Sequence, residues 1–314
     1  MITVIGSLNM DLVVNAEKIP RPGETVMGRN FKQVPGGKGG NQADAAAKLG
    51  ADVRMIGCIG DDSMGNILKS SLASDGVKVD SVLIKAGVST GIAFIIVEDS
   101  GDNAITVAPG ANYRLNPKDI EGLSQIIKKS KVVLLQLEIP IDVVKAALII
   151  AKEAGSMTIL NPAPAAKLDG KIYNYVDLLT PNETELEFLT GHETLTLEQV
   201  EAAGKILIDQ GVKEIIVTLG HNGCMHLKRN WRKHYEAYKV KAIDTTAAGD
   251  GFNGALAVCL NDGKNMDEAI RFAMKVGAMT VTKEGAQTSL PTKADVDDFD
   301  SWIVSRYRRE EENQ

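Results

Sequence analysis

Apolar residues fall in two rhythms along this chain. Ile2-Thr3-Val4-Ile5, Val53–Ile59, Val132–Glu138, Thr158–Pro162, Leu178–Glu185 and Ile215–Gly220 are short apolar or nearly apolar runs and read as buried strands. Between them lie stretches with helical spacing: through Leu68 and Leu72 to Gly76, from Asp142 to Ala154, from Phe252 to Gly263 and from Met266 to Lys283. Strands separated by helices predict an α/β fold with a mainly parallel central sheet covered by helices on both faces. Two regions break the alternation. Thr25 to Val34 reads as extended, and Thr90–Val97, a Gly101-Asp102-Asn103 turn and Ala104–Val107 form a hairpin pattern. Strands drawn from about 12–34 and 90–107 cannot join the main sheet without breaking it. They predict a small separate β-sheet, a lid, within one domain spanning residues 1–314.

Composition supports that picture and narrows the class. The 314 residues are 44% hydrophobic and 24% charged, which supplies ample core for such a fold. A net charge of -6 argues against general nucleic-acid binding. No apolar run reaches membrane-spanning length, and the amino terminus reads directly as a strand, with no basic leader. Cys58, Cys224 and Cys259 sit scattered in apolar surroundings, as reduced core cysteines of a cytoplasmic protein do. The four histidines lack metal-ligand spacing. His221 and His226 lie near a glycine turn without partner ligands, so no zinc site is expected. The charged run Arg306–Glu312 reads as a solvated helix end.

The densest chemistry lies at 240–254. Val240 and Ile243 suit a strand end, Ala247-Ala248-Gly249 form a turn with almost no side chain, and a helix follows with Asp250 in its first turn. A helix amino terminus offers unpaired N–H donors and partial positive charge, which suits a phosphate or an oxyanion and favours the Asp250 carboxylate as the anion. A base beside an anion hole is what phosphoryl transfer to an alcohol requires. Asn9 and Asp11, two apart on an extended segment, point to one face and match vicinal hydroxyls. The run Gly36-Gly37-Lys38-Gly39-Gly40-Asn41 allows close backbone approach, and Asn41 lies where the following helix begins. Gly39 after Lys38 rules out a Walker A loop, and the glycine spacing does not fit a dinucleotide fold. Glu138, Asn161, Asn182, Glu185, Thr218, Gly220 and Asp250 all fall at or just beyond strand ends, the edge where parallel sheets gather ligands.

Taken in order, these motifs resemble the ribokinase family of PfkB-type sugar kinases. The resemblance rests on Gly36–Ala43 continuing to Gly57-Cys58-Ile59-Gly60-Asp61-Asp62, and on Asp244–Phe252. Asn161-Pro162-Ala163-Pro164, Thr180–Glu185 and Thr218-Leu219-Gly220 stand between them. It implies ATP-dependent phosphorylation of the 5-hydroxyl of D-ribose, with Mg²⁺ and K⁺. By the resemblance, Asn9, Asp11, Gly37, Lys38, Asn41 and Glu138 hold the sugar, and Asp250 is the general base. The amides of Ala247, Ala248 and Gly249 stabilise the transferring phosphoryl group. Asn182 and Glu185 organise Mg²⁺ and the nucleotide phosphates, Glu185 through water. Thr218, Gly220, Asn222, Gly223 and Gly249 border the nucleotide. Asp244, Thr246, Thr280, Lys283, Gly285 and Ser289 form a potassium site, mostly through backbone carbonyls.

Two positions depart from the family pattern: Gly251 stands where Thr, Ser or Ala is usual, and Met274 where some members carry a polar or aromatic residue beside the adenine. Deoxyribose, another sugar or a nucleoside are alternative acceptors, and a non-catalytic sugar-binding protein is the alternative of another class. The strand Ile92–Val97 is apolar on both faces. One face can cover the sugar, and the other predicts pairing of two lids in a homodimer, as the resemblance also implies.

Overall fold

The structure, a computed structural model, describes residues 1–312, with side chains described as far as Arg306. The first third of the chain runs β1 (Ile2–Ile5), β2 (Asn9–Ala16), β3 (Gly28–Gly36), α1 (Lys38–Lys48), β4 (Val53–Gly60), α2 (Ser63–Ser74), β5 (Val82–Lys85), β6 (Gly91–Glu98) and β7 (Asn103–Ala108). Next come α3 (Pro117–Gly122), α4 (Ser124–Lys128), β8 (Val132–Leu135), α5 (Ile141–Glu153), β9 (Met157–Leu160), β10 (Leu178–Leu179), α6 (Glu183–Thr190) and α7 (Leu197–Asp209). The remainder is β11 (Glu214–Thr218), β12 (Cys224–Lys228), β13 (Trp231–Tyr235), α8 (Ala248–Asn261), α9 (Met266–Thr280), α10 (Lys293–Asp297) and α11 (Phe299–Glu312).

The main sheet has nine strands in the order β13-β12-β11-β10-β9-β8-β1-β4-β5. All neighbours from β11 to β5 pair in parallel, while β12 and β13 close one edge as antiparallel strands. Strand residues alternate between two cores. Ile2, Val4, Val132 and Leu134 pack with α1, α2, α8 and α9, whereas Ile5, Val133 and Leu135 pack with α5 and α7 on the other side. Both faces are therefore apolar, which is why these strands read as unbroken hydrophobic runs. Burying one such side chain contributes roughly 1.5–3 kcal/mol.

The second sheet has four strands in the order β3-β2-β6-β7 and matches the strands expected from 12–34 and 90–107, extended to Asn9 and Gly36. Its pairing sets Asp11 opposite Ala93 and Val34, and Leu12 opposite Phe94 and Gln33. Asp11 thus shares a face with Ala93, while Phe94, Leu12, Val14, Phe31 and Ile96 share the opposite face. Phe94 is 50% exposed and Phe31 62%, so that apolar face is partly bare in the single chain.

Several boundaries differ from the sequence reading. Val240 and Ile243 form no strand. Ile243 is exposed, and the amides of Ile243 and Asp244 bond the carbonyl of Val281 beyond α9. β8 stops at Leu135, so Glu138 lies beyond the strand. β10 is only Leu178–Leu179, because Asn182 and Glu185 start α6 with a reciprocal capping box. Strands β5, β12 and β13 are additional to the reading. α11 spans Arg306–Glu312, but side-chain solvation beyond Arg306 lies outside the described residues.

Candidate active site

Neighbours of β1 lead the chain in opposite directions across the sheet, β4 and β5 on one side and β8 to β11 on the other. Ligands gather at such a switch point, beyond the carboxyl ends of the strands. Here Ser7 follows β1, Gln136 and Glu138 follow β8, Asn161 follows β9 and Thr180 follows β10. The amino ends of α1 and α8 come to the same edge, since Asn41 Nδ2 donates to Asp250 Oδ2 at 2.9 Å and Gln42 Nε2 to Asp250 Oδ1 at 2.9 Å. Asp250 is 7% exposed.

Groups able to bond a hydroxyl lie around this point. Asn9 is buried at the start of β2, and its Oδ1 accepts from Asn112 Nδ2 at 2.8 Å. That leaves the amide N–H groups of Asn9 as its free polar atoms. Asn41 Oδ1 is buried and has no protein partner. Such an acceptor costs about 1–3 kcal/mol unless something bonds it, and a ligand hydroxyl is the matching donor. Glu138 Oε2 accepts from the Ser7 hydroxyl and, at 3.2 Å, from the backbone N–H of Lys38. Gly37 caps α1 at φ 84°, and a Cβ there would sit 2.6 Å from the Asn9 nitrogen, so only glycine lets the loop close on β2. At its far end α1 is fastened by Lys48, which donates to Asp44 Oδ2 at 2.8 Å and to the carbonyl of Gln287 at 2.6 Å.

Charge is concentrated here. Burial, reinforced by the charges of Glu138 and Asp250 and opposed by Lys38, pushes the Asp11 carboxyl up to about 7. Burial works against the Lys38 ammonium, but Asp250, Glu138, Glu185 and Asp11 outweigh it and hold its pKa above the ordinary lysine value. Burial also raises Glu185, against the pull of the Asn182 N–H and Lys38. One ammonium thus serves four carboxylates.

α8 begins at Ala248, four residues earlier than its apolar pattern predicts, and Asp250 lies in its first turn as expected. Ala247 caps it in the left-handed region, φ 59° and ψ 5°, a strained conformation for a residue with a Cβ. The Ala248 N–H turns back to the Thr245 carbonyl at 3.3 Å, so it is less free than a pure anion-hole reading requires. Gly249 faces open space, and its amide belongs to the turn that lacks helical partners. Gly251 packs inward, where a Cβ would meet Leu290 and Thr280 at 3.1 Å and Val276 at 3.3 Å. Met274 lies against Cys224, sulfur to sulfur at 3.8 Å.

The expected nucleotide and cation residues occupy two flanks. Asn182 Oδ1 accepts from the Glu185 N–H at 2.7 Å, and Glu185 Oε2 accepts from the Asn182 N–H at 2.9 Å. These side chains therefore cap α6, with the second Glu185 oxygen left over. Thr218 bridges to Asn182, and Gly220–Asn222 with Gly223 make the turn into β12. Asp244 joins two loops, accepting from the N–H of Thr246 at 2.9 Å and of Gly285 at 2.9 Å. Thr280 and Ser289 are buried and bond carbonyls of their own turns, Val276 and Ala286, while Lys283 is exposed. Among the described residues no group of three or more His, Cys, Asp or Glu side chains could hold a metal. Any divalent ion held here would need ligands beyond these side chains.

Ser7 and Asn112 are further contributors that sequence reasoning passed over. Asn112 follows Pro109-Gly110-Ala111, a turn signal that carries no hint of its partner 103 residues away. The surface depression lined by Glu201, Lys205, Trp231 and Arg232 contains none of these residues.

Residues 1–293 match the family model described as pfkB family carbohydrate kinase. The chain is 41% identical over 298 residues to a ribokinase of Haemophilus influenzae, covering 95% of this chain and 97% of that protein. It is 37% identical over 303 residues to a deoxyribokinase of Salmonella typhi, covering 96% and 98%. Among solved structures, that of Arabidopsis thaliana ribokinase complexed with ribose and ATP superposes with a TM-score of 0.88 at 32% identity, covering 95% of this chain and 97% of that one.

The Asp11 shift has a consequence for stability. Its carboxyl rises from 3.8 to about 7 on folding, so between those values the folded chain holds a proton that the unfolded chain has released. Stability from this group is full below 3.8 and is lost as pH climbs to about 7. Asp11→Asn removes the titration. The variant is expected to melt above wild type at about pH 8 and close to it at about pH 4 in thermal scans. A difference that does not grow with pH across this window would contradict the assignment.

Proposed function

The chain belongs to the pfkB family of carbohydrate kinases, and we propose that it transfers the γ-phosphoryl group of ATP to the primary 5-hydroxyl of D-ribose, giving D-ribose 5-phosphate and ADP. The observation that carries this reading is the buried Asp250 carboxylate in the first turn of α8, oriented by Asn41 and Gln42 beside an unpartnered Asn41 carbonyl. Asp250 takes the proton of the attacking hydroxyl. The α8 amino terminus, through the Ala247, Ala248 and Gly249 segment, faces the negative charge that develops on the phosphoryl group. Asn9 donates and Asp11 accepts at neighbouring sugar hydroxyls, while Gly37, Lys38, Asn41 and Glu138 complete the cradle. The small sheet acts as the lid. Deoxyribose is the second reading for the acceptor, favoured by the similarity to a deoxyribokinase.

Thr218, Gly220, Asn222 and Gly223 border the nucleotide in this reading, and Asn182 with the remaining Glu185 oxygen organises hydrated Mg²⁺. When bound, the magnesium nucleotide supplies the phosphoryl group and neutralises its charge; chelation by EDTA is expected to stop turnover. Asp244, Thr246, Thr280, Lys283, Gly285 and Ser289 frame a potassium site behind the anion hole. Three free, buried cysteines accord with a cytoplasmic setting, which cell fractionation tests.

Four outcomes test the proposal. In a coupled assay for ADP, ribose is the preferred acceptor over deoxyribose and nucleosides, and Asp250→Asn loses nearly all turnover while sugar affinity stays within about tenfold. General-base terms are about 10²–10⁴ in rate, so retention of more than about a tenth of wild-type turnover would dismiss Asp250 as the base. K⁺ is expected to activate well above Na⁺; equal rates in K⁺, Na⁺ and a bulky organic cation at matched ionic strength would remove the cation site. The bare Phe31–Phe94 face pairs two lids in a homodimer. Sedimentation at micromolar protein should show a dimer that charges placed at Phe94 or Ile96 disrupt, and a sole monomer in the wild type would exclude it.

A further inference from the structure

Behind Asp250 runs a buried series of amides. Gln136 Nε2 donates to Gln42 Oε1 at 2.5 Å, and Gln42 Nε2 donates both to Asp250 Oδ1 at 2.9 Å and to Asn161 Oδ1 at 3.1 Å. Asn161 Nδ2 donates to the Thr180 carbonyl at 3.0 Å, and the Thr180 hydroxyl donates to Asn253 Oδ1 at 2.6 Å. Asn253 Nδ2 then donates to the Gly249 carbonyl at 2.8 Å, one residue before Asp250. Carboxylates and carbonyls only accept, so the sense of each amide is fixed by its partner. The series leaves the Asp250 side chain and returns to the backbone of the same helical turn. Gln42, Gln136, Asn161, Thr180 and Asn253 are all buried.

We propose that Gln42 is a positioning residue for phosphoryl transfer, which fixes the plane of the Asp250 carboxylate and ties it to the ends of β9 and β10. This rests on Asp250 as the base. Asn41 and Gln42, consecutive on α1, hold the two different oxygens of that carboxylate, so rotation of the carboxylate about its own axis breaks both bonds. Asn41 still has a free carbonyl for ligand. Gln42 does not: both its N–H groups and its carbonyl are engaged within the protein, so it acts on the reaction only through Asp250. A base held loosely spends less time aligned with the attacking hydroxyl, and catalysis of this kind is sensitive to small misplacements.

The experiment is a steady-state comparison of Gln42→Met, which keeps the chain length and removes the polar atoms. A hydrogen bond to a charged group sets the scale, so kcat should fall about 10–100-fold while KM for ribose and ATP stays within about threefold. In the Asp250→Asn background the same change should leave the residual turnover unaltered, since there is no longer a base to orient. A kcat within about twofold of wild type, a loss confined to KM, or an equal further fall in the Asp250→Asn background would each overturn the proposal. If Gln42→Met does not fold, Gln136→Met carries the test: it frees the far end of the Gln42 amide, and a kcat loss at unchanged KM supports the role while wild-type kcat refutes it. Full turnover in Asp250→Asn alone would instead refute the base assignment, a result separate from any effect of Gln42.

Discussion

Everything at this site depends on keeping one carboxylate inside the protein, at the amino end of a helix, without letting it turn. Burying a charge is costly unless it is bonded or paired. Asp250 meets that condition with two amide donors from α1, a helix amino terminus and the nearby Lys38 ammonium. Those donors reach it because α1 and α8 cross closely. A Cβ on Gly254 would sit 2.7 Å from the Ala45 Cβ and 2.9 Å from the Gln42 carbonyl. The packing of two helices and the aim of a carboxylate are thus one geometric fact.

The same burial shapes the electrostatics. Four carboxylates share one lysine, and burial raises Asp11 and Glu185, with neighbouring carboxylate charge adding to the rise. In the proposed reaction a polyol would bring hydroxyl donors to these oxygens.

The parallel core was legible because strands apolar on both faces cannot be mistaken for surface, and the small sheet because its strands interrupt the alternation. Position at strand ends likewise singled out Asp250, Asn161 and Glu138 in the sequence, while Asn41 was singled out by its place at the start of α1. Less legible were the partners. Leu178–Glu185 reads as strand from its opening leucines, yet Asn182-x-x-Glu185 is a helix-start signature that wins locally. β12 and β13 escaped notice because His226, Lys228, Arg232 and Lys233 dilute their apolar pattern at a sheet edge. The roles of Gln42, Asn112 and Asn253 depend on contacts across 70 to more than 200 residues, which spacing along a chain does not encode.

α1 is an eleven-residue helix, about 16 Å of stiff rod. One end carries the Gly37 cap and the grip of Asn41 on Asp250; the other is bolted by Lys48 to the Gln287 carbonyl, in the loop proposed above for a monovalent cation. Such a rod cannot shift at one end without reporting at the other. If an ion that settles the 283–289 loop sharpens affinity for the sugar, the sugar must sharpen affinity for the ion by the same factor, because the two sites then share a single coupling free energy.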